Sequence, residues 1–189
     1  MNTTALMHTR YRQVLLLTGV IIAIDQVTKY LAFAYLRPRL SVSVIGDFLR
    51  FTYLENPGMA FGIEVENNLL LHTLSILVVL IIFYYLFKLR DHPILRFSFA
   101  AILGGAFGNW IDRFFRGRVI DFVDLDVFDI HFSGGSFLFW ELPATLMNRW
   151  PIFNVADMAV SIGMFMIIVT VLLNPSEASG LPHASREEI

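Results

Sequence analysis

The chain has 189 residues, of which 56% are hydrophobic and 16% charged, and its formal net charge is −2. Soluble domains carry about 25% charged residues, so this composition indicates an integral membrane protein of one domain and gives no basic surface for nucleic acid. Because the chain lacks cysteine and its five histidines are scattered, it cannot use disulfides or a cysteine nucleophile, and we expect no metal and no cofactor.

The first predicted transmembrane helix covers residues 14–36, a run long enough to cross a bilayer. Basic residues precede this run as in a signal peptide, but the run is too long and contains Asp25 and Lys29. These two residues are one helical turn apart, which favours a structural ion pair with Lys29 reaching outward to water. Direct participation in chemistry is the alternative.

Residues 37–68 alternate between apolar and polar side chains, which predicts a small sheet of two or more strands outside the membrane. The tripeptide Asn56-Pro57-Gly58 is typical of a turn in which Gly58 supplies a positive φ. Turn chemistry alone would explain it, so it does not by itself indicate a function.

Three further apolar runs predict transmembrane helices at residues 69–87, 95–115 and 152–173. Gly104 and Gly108 have the spacing that allows close helix packing. The sequence therefore predicts an all-α membrane bundle of four helices in one domain, residues 1–175, followed by a mobile cytoplasmic tail, residues 176–189. A small sheet in 37–68 and a second loop in 116–151 are the extracytoplasmic parts.

Arginine and lysine are dense in the N-terminal lead and in the short 88–96 turn, and sparse in both long loops. The positive-inside rule places both termini in the cytoplasm and both loops outside. The third helix ends near Asp112 and the fourth begins near Asp157, so both aspartates lie at the outer bilayer face.

An aspartate near hydrocarbon costs up to roughly 2.5–3.5 kcal/mol, so Asp157 is expected to be functional, with a helix N-cap at Asn154 or Asp157 as the plainer alternative. Two close carboxylates share a proton, activate water and protonate a leaving amine, as aspartic peptidases do. The sequence offers three candidates for the two members of this pair: Asp112, Asp121 and Asp157. Asp112 has Arg113 beside it, which suits a structural role, whereas Asp121 is predicted on less regular backbone that is free to approach.

The acidic residues that follow Asp121, at positions 124, 126 and 129, are expected to be solvated. On physical grounds alone we prefer Asp121 with Asp157 as the catalytic pair.

The chain resembles lipoprotein signal peptidase, also called signal peptidase II, an aspartic peptidase family. The family's motifs occur in order as Asp25-Gln26-Val27-Thr28-Lys29, Asn56-Pro57-Gly58-Met59-Ala60-Phe61, Gly108-Asn109-Trp110-Ile111-Asp112-Arg113, Val119-Ile120-Asp121-Phe122 and Phe153-Asn154-Val155-Ala156-Asp157.

The resemblance implies a bacterial inner-membrane endopeptidase that removes the signal peptide of a prolipoprotein by cutting before its diacylglyceryl-modified cysteine. It implies that Asp121 and Asp157 are catalytic and that Asp25 and Lys29 stabilise the site. It also implies a β-cradle in 37–68, inhibition by globomycin-type compounds and contact with membrane lipid. The residues implied to bind substrate or support the site are Asn56, Gly58, Asn109, Asp112, Arg113, Asn154 and Ala156.

One stretch departs from the family pattern, because residues 125–150 form an insertion of unknown role. A monomer is expected, since the site needs no second chain. The competing function is a non-enzymatic carrier that uses carboxylates as a proton relay. A relay would place acids at several depths, whereas most of these acids cluster at one face.

Overall fold

Among the described residues, three helices are long and apolar enough to cross a membrane. The computed structural model describes residues 3–57, 77, 93–127, four short strands between 130 and 147, and 149–173, with side chains described from residue 12 and not for 128–148. Helix α1 covers Thr3–Leu31 and continues as a π-helical turn, Ala32–Leu36; α2 covers Pro93–Arg116; and α3 covers Val155–Leu173. The predicted span at 69–87, Gly58 and the tail at 176–189 lie outside the described residues.

Helices α1 and α2 run side by side in the same direction. Near their first ends, Arg96 Nη1 donates to Gln13 Oε1 at 3.4 Å. Farther along, Thr18 Oγ1 donates to the carbonyl of Ala100 at 3.3 Å, and Gln26 Nε2 to the carbonyl of Gly108 at 3.1 Å. The residue numbers of the partners differ by nearly the same amount in each contact, which shows that the two helices are parallel. Their C-terminal ends therefore lie at the same end of the bundle.

Helix α3 packs against α2 in the opposite direction, and glycines allow the close approach. A Cβ at Gly105 would meet the carbonyl oxygen of Ala156 and would lie 2.8 Å from Val160 Cγ2. A Cβ at Gly163 would lie 2.7 Å from the carbonyl oxygen of Ser98. The predicted close packing at small residues is present, because Gly104 and Gly108 face α1. Two further glycines, Gly105 and Gly163, allow the close approach of α2 and α3.

Replacing Gly105 by alanine is expected to destabilise the protein by about 1–3 kcal/mol, because the added methyl group must displace the backbone of α3. Gly19→Ala is the matched control: Gly19 is exposed on α1, and a Cβ there meets nothing within 4 Å. Thermal unfolding in detergent should show a lower midpoint for Gly105→Ala and no loss for Gly19→Ala. Equal midpoints would contradict the close packing of α2 on α3.

A three-stranded antiparallel sheet sits at the end of the bundle where α1 and α2 finish. Its strands are β1 Ser41–Ile45, β2 Leu49–Asn56 and β3 Val119–Leu125, in the order β1-β2-β3. The first two strands match the sequence prediction for 37–68, but the third comes from the second loop. The prediction of less regular backbone at Asp121 was wrong, because Asp121 lies within β3 opposite Leu54.

The chain that enters α3 is tied to β3. Phe153 forms a β-bridge with Val123: its carbonyl accepts the Val123 N–H at 2.8 Å, and its own N–H donates to the Val123 carbonyl at 3.1 Å. Beneath this bridge, Ala32, Ile120 and Phe122 form a buried apolar cluster. The bridge therefore sets the first turn of α3 directly beside the middle of β3.

The insertion contains two more strand pairs. Strand β4 Ile130–Phe132 pairs with β7 Thr145–Met147, and β5 Gly135–Phe137 pairs with β6 Trp140–Leu142.

Where the chain returns from the insertion, Arg149 binds both the sheet and the β1–β2 turn. Its Nε donates to Asp124 Oδ1 at 2.6 Å, its Nη1 to Asp126 Oδ2 at 3.0 Å and its Nη2 to the carbonyl of Asp47 at 2.9 Å. Asp124 is therefore not solvated as predicted: it is 6% exposed and also accepts a hydrogen bond from Thr52.

Candidate active site

Asn154 and Asp157 cap the N-terminus of α3 reciprocally. Asn154 Oδ1 accepts the backbone N–H of Asp157 at 3.0 Å, and Asp157 Oδ2 accepts the backbone N–H of Asn154 at 3.1 Å. This is the geometry of a capping box, in which residues three apart satisfy each other's amides. It places a half-exposed carboxylate at the positive end of the helix dipole, where negative charge is stabilised. The helix N-cap that was the plainer alternative for Asn154 and Asp157 is therefore present. It does not exclude a site at this place, because Asp121 lies beside the same cap.

Asp121 projects from β3 to the same place and is only 2% exposed. Its Oδ1 accepts a hydrogen bond from Asn154 Nδ2 at 2.6 Å, and its Oδ2 accepts one from Asn56 Nδ2 at 2.9 Å. Asn56 is two residues beyond Leu54, the partner of Asp121 across the strands, so the contact is a diagonal pair on one face of the sheet. Burial, together with the smaller effect of the charge of Asp157, raises the pKa of Asp121 to about 6, against the hydrogen bond from Asn56, which lowers it.

Asn109, in the last part of α2, joins Asp157 to α1. Its Nδ2 donates to Asp157 Oδ1 at 2.8 Å. Its Oδ1 accepts both Lys29 Nζ at 2.8 Å and Asn154 Nδ2 at 3.1 Å. The two aspartates therefore share one amide network built from β2, β3 and the facing ends of α2 and α3.

A buried ionic cluster lies beside this network. Lys29 Nζ is 2.9 Å from Asp25 Oδ2 and 3.0 Å from Asp112 Oδ2, and all three side chains have no exposed surface. The prediction that Lys29 reaches outward to water was wrong, because two carboxylates and Asn109 hold its ammonium inside the bundle. The predicted pair of Asp25 and Lys29 exists, but as part of a larger cluster.

Asp25 also holds the start of α3. Its Oδ1 accepts the backbone N–H of Ala156 at 2.9 Å, and its Oδ2 accepts a hydrogen bond from Gln26. Ala156 is fully buried, and Gly108 lies close to both Asp25 and Ala156. Ala156 therefore contributes an amide and a small side chain that let the three helices meet.

Asp112 is bound by cations from two helices and by a strand. Besides Lys29, it forms an ion pair with Arg116, and its Oδ2 accepts the backbone N–H of Ile120 at 3.3 Å. Arg116 was missed from the sequence, although its position four residues after Asp112 is a pairing signal. Arg113 acts over a wider range, since its charge interacts with Asp157, Asp121 and Asp112.

The predicted site residues within the described chain thus come together, and Gly58 alone among them lies outside it. One carboxylate is buried and one half exposed, and a single asparagine contacts both, an arrangement suited to sharing one proton while acting on water. Among the described residues, no group of three or more histidine or carboxylate side chains is arranged to hold a metal ion.

Known proteins resemble the chain over nearly its whole length. A profile of the family described as Signal peptidase (SPase) II matches residues 17–173. The chain is 37% identical over 169 residues to the lipoprotein signal peptidase of Moorella thermoacetica, covering 89% of this chain and 98% of that protein. It is 40% identical over 151 residues to the lipoprotein signal peptidase of Chlorobium luteolum, covering 79% of this chain and 84% of that protein.

Two solved structures, both described as bacterial membrane enzymes, share the fold. One superposes with a TM-score of 0.70 at 26% identity and covers 94% of each chain. The other superposes with a TM-score of 0.66 at 28% identity, covering 85% of this chain and 92% of that one. Both alignments extend well beyond any single motif.

Proposed function

The chain belongs to the signal peptidase II family and is a membrane-embedded aspartic peptidase, and from that premise we propose that it removes the signal peptides of prolipoproteins by cutting before their diacylglyceryl-modified cysteine. The observation that carries the proposal is the position of Asn154, which donates to Asp121 through its side chain and to Asp157 through its backbone. These two carboxylates come from separate elements, β3 and α3, and this one asparagine contacts both. Family membership removes the carrier alternative.

In the proposed reaction, Asp157 starts ionised and Asp121 starts protonated. Asp157 takes a proton from water while the water oxygen bonds to the scissile carbonyl carbon, and Asp121 gives its proton to the carbonyl oxygen. The resulting diol collapses as Asp157 gives its new proton to the leaving nitrogen of the cysteine. Asp121 recovers a proton from the diol, so both groups end as they began.

Environment supports this order of protonation. Asp121 is buried in the sheet, and burial disfavours its charged form. Asp157 is half-buried at the N-terminus of α3, where its carboxylate accepts hydrogen bonds from the Asn154 backbone N–H and from Asn109 Nδ2. Because the two carboxylates interact, the observed titration belongs to the pair, and activity is expected to fall on both the acidic and the alkaline side.

We propose that the enzyme crosses the bacterial inner membrane four times, with both termini in the cytoplasm and the site near the outer face. The parallel direction of α1 and α2 supports the fourth span that the sequence predicts at 69–87. The lipid of the substrate would then hold the cysteine at the depth of the dyad, so that binding energy positions one peptide bond. Globomycin-type inhibitors are expected to compete for this position.

The experiment that tests the function is cleavage of a prolipoprotein by the purified protein in detergent, with and without the diacylglyceryl group on its cysteine. The lipid-modified substrate should be cut on the N-terminal side of the cysteine, and the unmodified one at least about 10²-fold more slowly because it loses the anchoring energy. Equal rates would contradict the proposed substrate class. No cleavage of either substrate would contradict the proposed function.

A further inference from the structure

Lys29 lies on α1 and is not one of the two aspartates of the pair. Its ammonium is completely buried, and all three of its N–H donors have acceptors. Its three N–H donors meet three acceptors: Asp25 Oδ2 at 2.9 Å, Asp112 Oδ2 at 3.0 Å and Asn109 Oδ1 at 2.8 Å. An ammonium has three donors and no acceptor, so none remains for water or substrate. Lys29 therefore has a fixed position and makes no direct contact with a reacting bond.

The orientation of the Asn109 amide follows from this contact. Two donors, Lys29 Nζ and Asn154 Nδ2, converge on Asn109 Oδ1. The Nδ2 group on the other side of the amide consequently faces Asp157 and donates to it at 2.8 Å. If the amide were reversed, its NH₂ group would meet the donor of Lys29, and its oxygen would meet the carboxylate of Asp157.

We propose that Lys29 is a positioning residue that fixes the Asn109 amide with its donor towards Asp157 and thereby holds the carboxylate of Asp157 in the position from which it activates water. The inference rests on the proposed function, because it assigns how one of the two aspartates in that reaction is held.

Charge balance indicates that the hydrogen bond, and not the charge of Lys29, carries the effect. The positive charges of Lys29 and Arg116 are matched by the negative charges of Asp25 and Asp112 within one cluster, in which the Arg116 side chain is exposed and the other three are buried. A neutral cluster exerts little net field on Asp157. The charges of Arg113 on α2 and Asp121 on β3 interact with Asp157, and the cluster is linked to Asp157 through Asn109.

The test keeps the cluster neutral while it removes the ammonium. Lys29→Met alone would leave two buried carboxylates facing each other, so it is combined with Asp25→Asn, whose amide oxygen can still accept the Ala156 N–H. Two references are needed: the wild type, whose cluster is also neutral, and Asp25→Asn alone, which carries one net positive charge but retains the bond from Lys29 to Asn109. Relative to both references, the double variant should lose about 10²-fold in kcat with little change in KM, and the acidic limb of kcat/KM should move to higher pH.

A double-mutant cycle shows whether the effect passes through Asn109. Asn109→Leu should lower kcat strongly in the Asp25→Asn reference but add little in the variant that also lacks Lys29. The inference would be overturned if the effects of removing Lys29 and of Asn109→Leu on kcat were multiplicative. It would also be overturned if the acidic limb of kcat/KM did not move. If the wild-type enzyme cleaves its lipid-modified substrate while the cycle is multiplicative, only the role of Lys29 is wrong; if it does not cleave, the function itself is wrong.

If the double variant fails to fold, Asn109→Asp tests the same step with Lys29 in place. An aspartate keeps an acceptor for Lys29 but replaces the donor towards Asp157 by a second acceptor. The acidic limb of kcat/KM should again move to higher pH, and an unmoved limb would overturn the inference.

Discussion

Changing either Asp121 or Asp157 to asparagine is expected to lower kcat by about 10⁴-fold or more without unfolding the protein. An amide cannot take a proton from water, as Asp157 does, and it cannot give one to the carbonyl oxygen, as Asp121 does. Asparagine has the same size as aspartate, and its oxygen can still accept one of the hydrogen bonds from the neighbouring amides. The measurement is single-turnover cleavage of a lipid-modified prolipoprotein, with thermal unfolding recorded for each variant.

Two other aspartates serve as comparisons. Asp126→Asn lies just beyond the end of β3, where its carboxylate is partly exposed and binds Arg149 away from the site, so its rate should match the wild type. Asp112→Asn should keep measurable activity, because Asp112 binds Lys29, Arg116 and the Ile120 amide and contacts neither aspartate of the pair in the described hydrogen bonds. If a folded Asp112→Asn were inactive while Asp121→Asn cut normally, the partner of Asp157 would have been misassigned.

The positions that meet at the site were predictable because their spacing in the sequence follows the ends of the apolar runs. Asp112 and Asp157 had to lie at one bilayer face once the runs between them were counted. The contact of Asn154 with Asp121 was not predictable, because it depends on the bridge between Phe153 and Val123, which pairs residues 30 positions apart in the chain.

The errors in the sequence interpretation come from long-range partners. Lys29 was expected to pair with Asp25 and to reach outward to water. In the fold, Asp112 and Asn109 from α2 hold its ammonium inside the bundle. Asp124 was expected to be solvated, yet Arg149 returns from the far side of the insertion to bind it. The local sequence pattern predicts the depth of a residue in the membrane. Whether a charged side chain is buried depends on which groups from distant parts of the chain form hydrogen bonds and ion pairs with it.

The insertion illustrates the same limit. The sequence predicts no structure for residues 125–150, and the strand pairs found there link residues that are close in the chain. Among the described contacts, Arg149 connects this segment to the sheet, and the pKa of Arg149 is raised by its hydrogen bond to Asp124. A single basic residue after a long apolar stretch is too common a pattern to be recognised as such a contact.

Asn154 is the residue whose replacement should affect both catalysis and the helix start, and two variants can separate these effects. Asn154→Ala removes the donor to Asp121 and also the acceptor for the Asp157 N–H, so we expect a loss of about 10²–10³-fold in kcat together with about 1 kcal/mol of stability. Asn154→Ser keeps a hydroxyl acceptor for the helix cap but is too short to reach Asp121. It should lose activity to a similar degree while its unfolding midpoint stays near that of the wild type.

The comparison between these variants decides how Asn154 acts. If serine restores both stability and activity, Asn154 serves only as a helix cap, and the link it makes between the two carboxylates has no role in the reaction. If serine restores stability alone, the NH₂ group is required because it holds the buried Asp121 in contact with the helix end that carries Asp157. The second outcome is expected, since this NH₂ group lies 2.6 Å from Asp121 Oδ1 and 3.1 Å from Asn109 Oδ1, whereas the cap uses only the oxygen of the same amide.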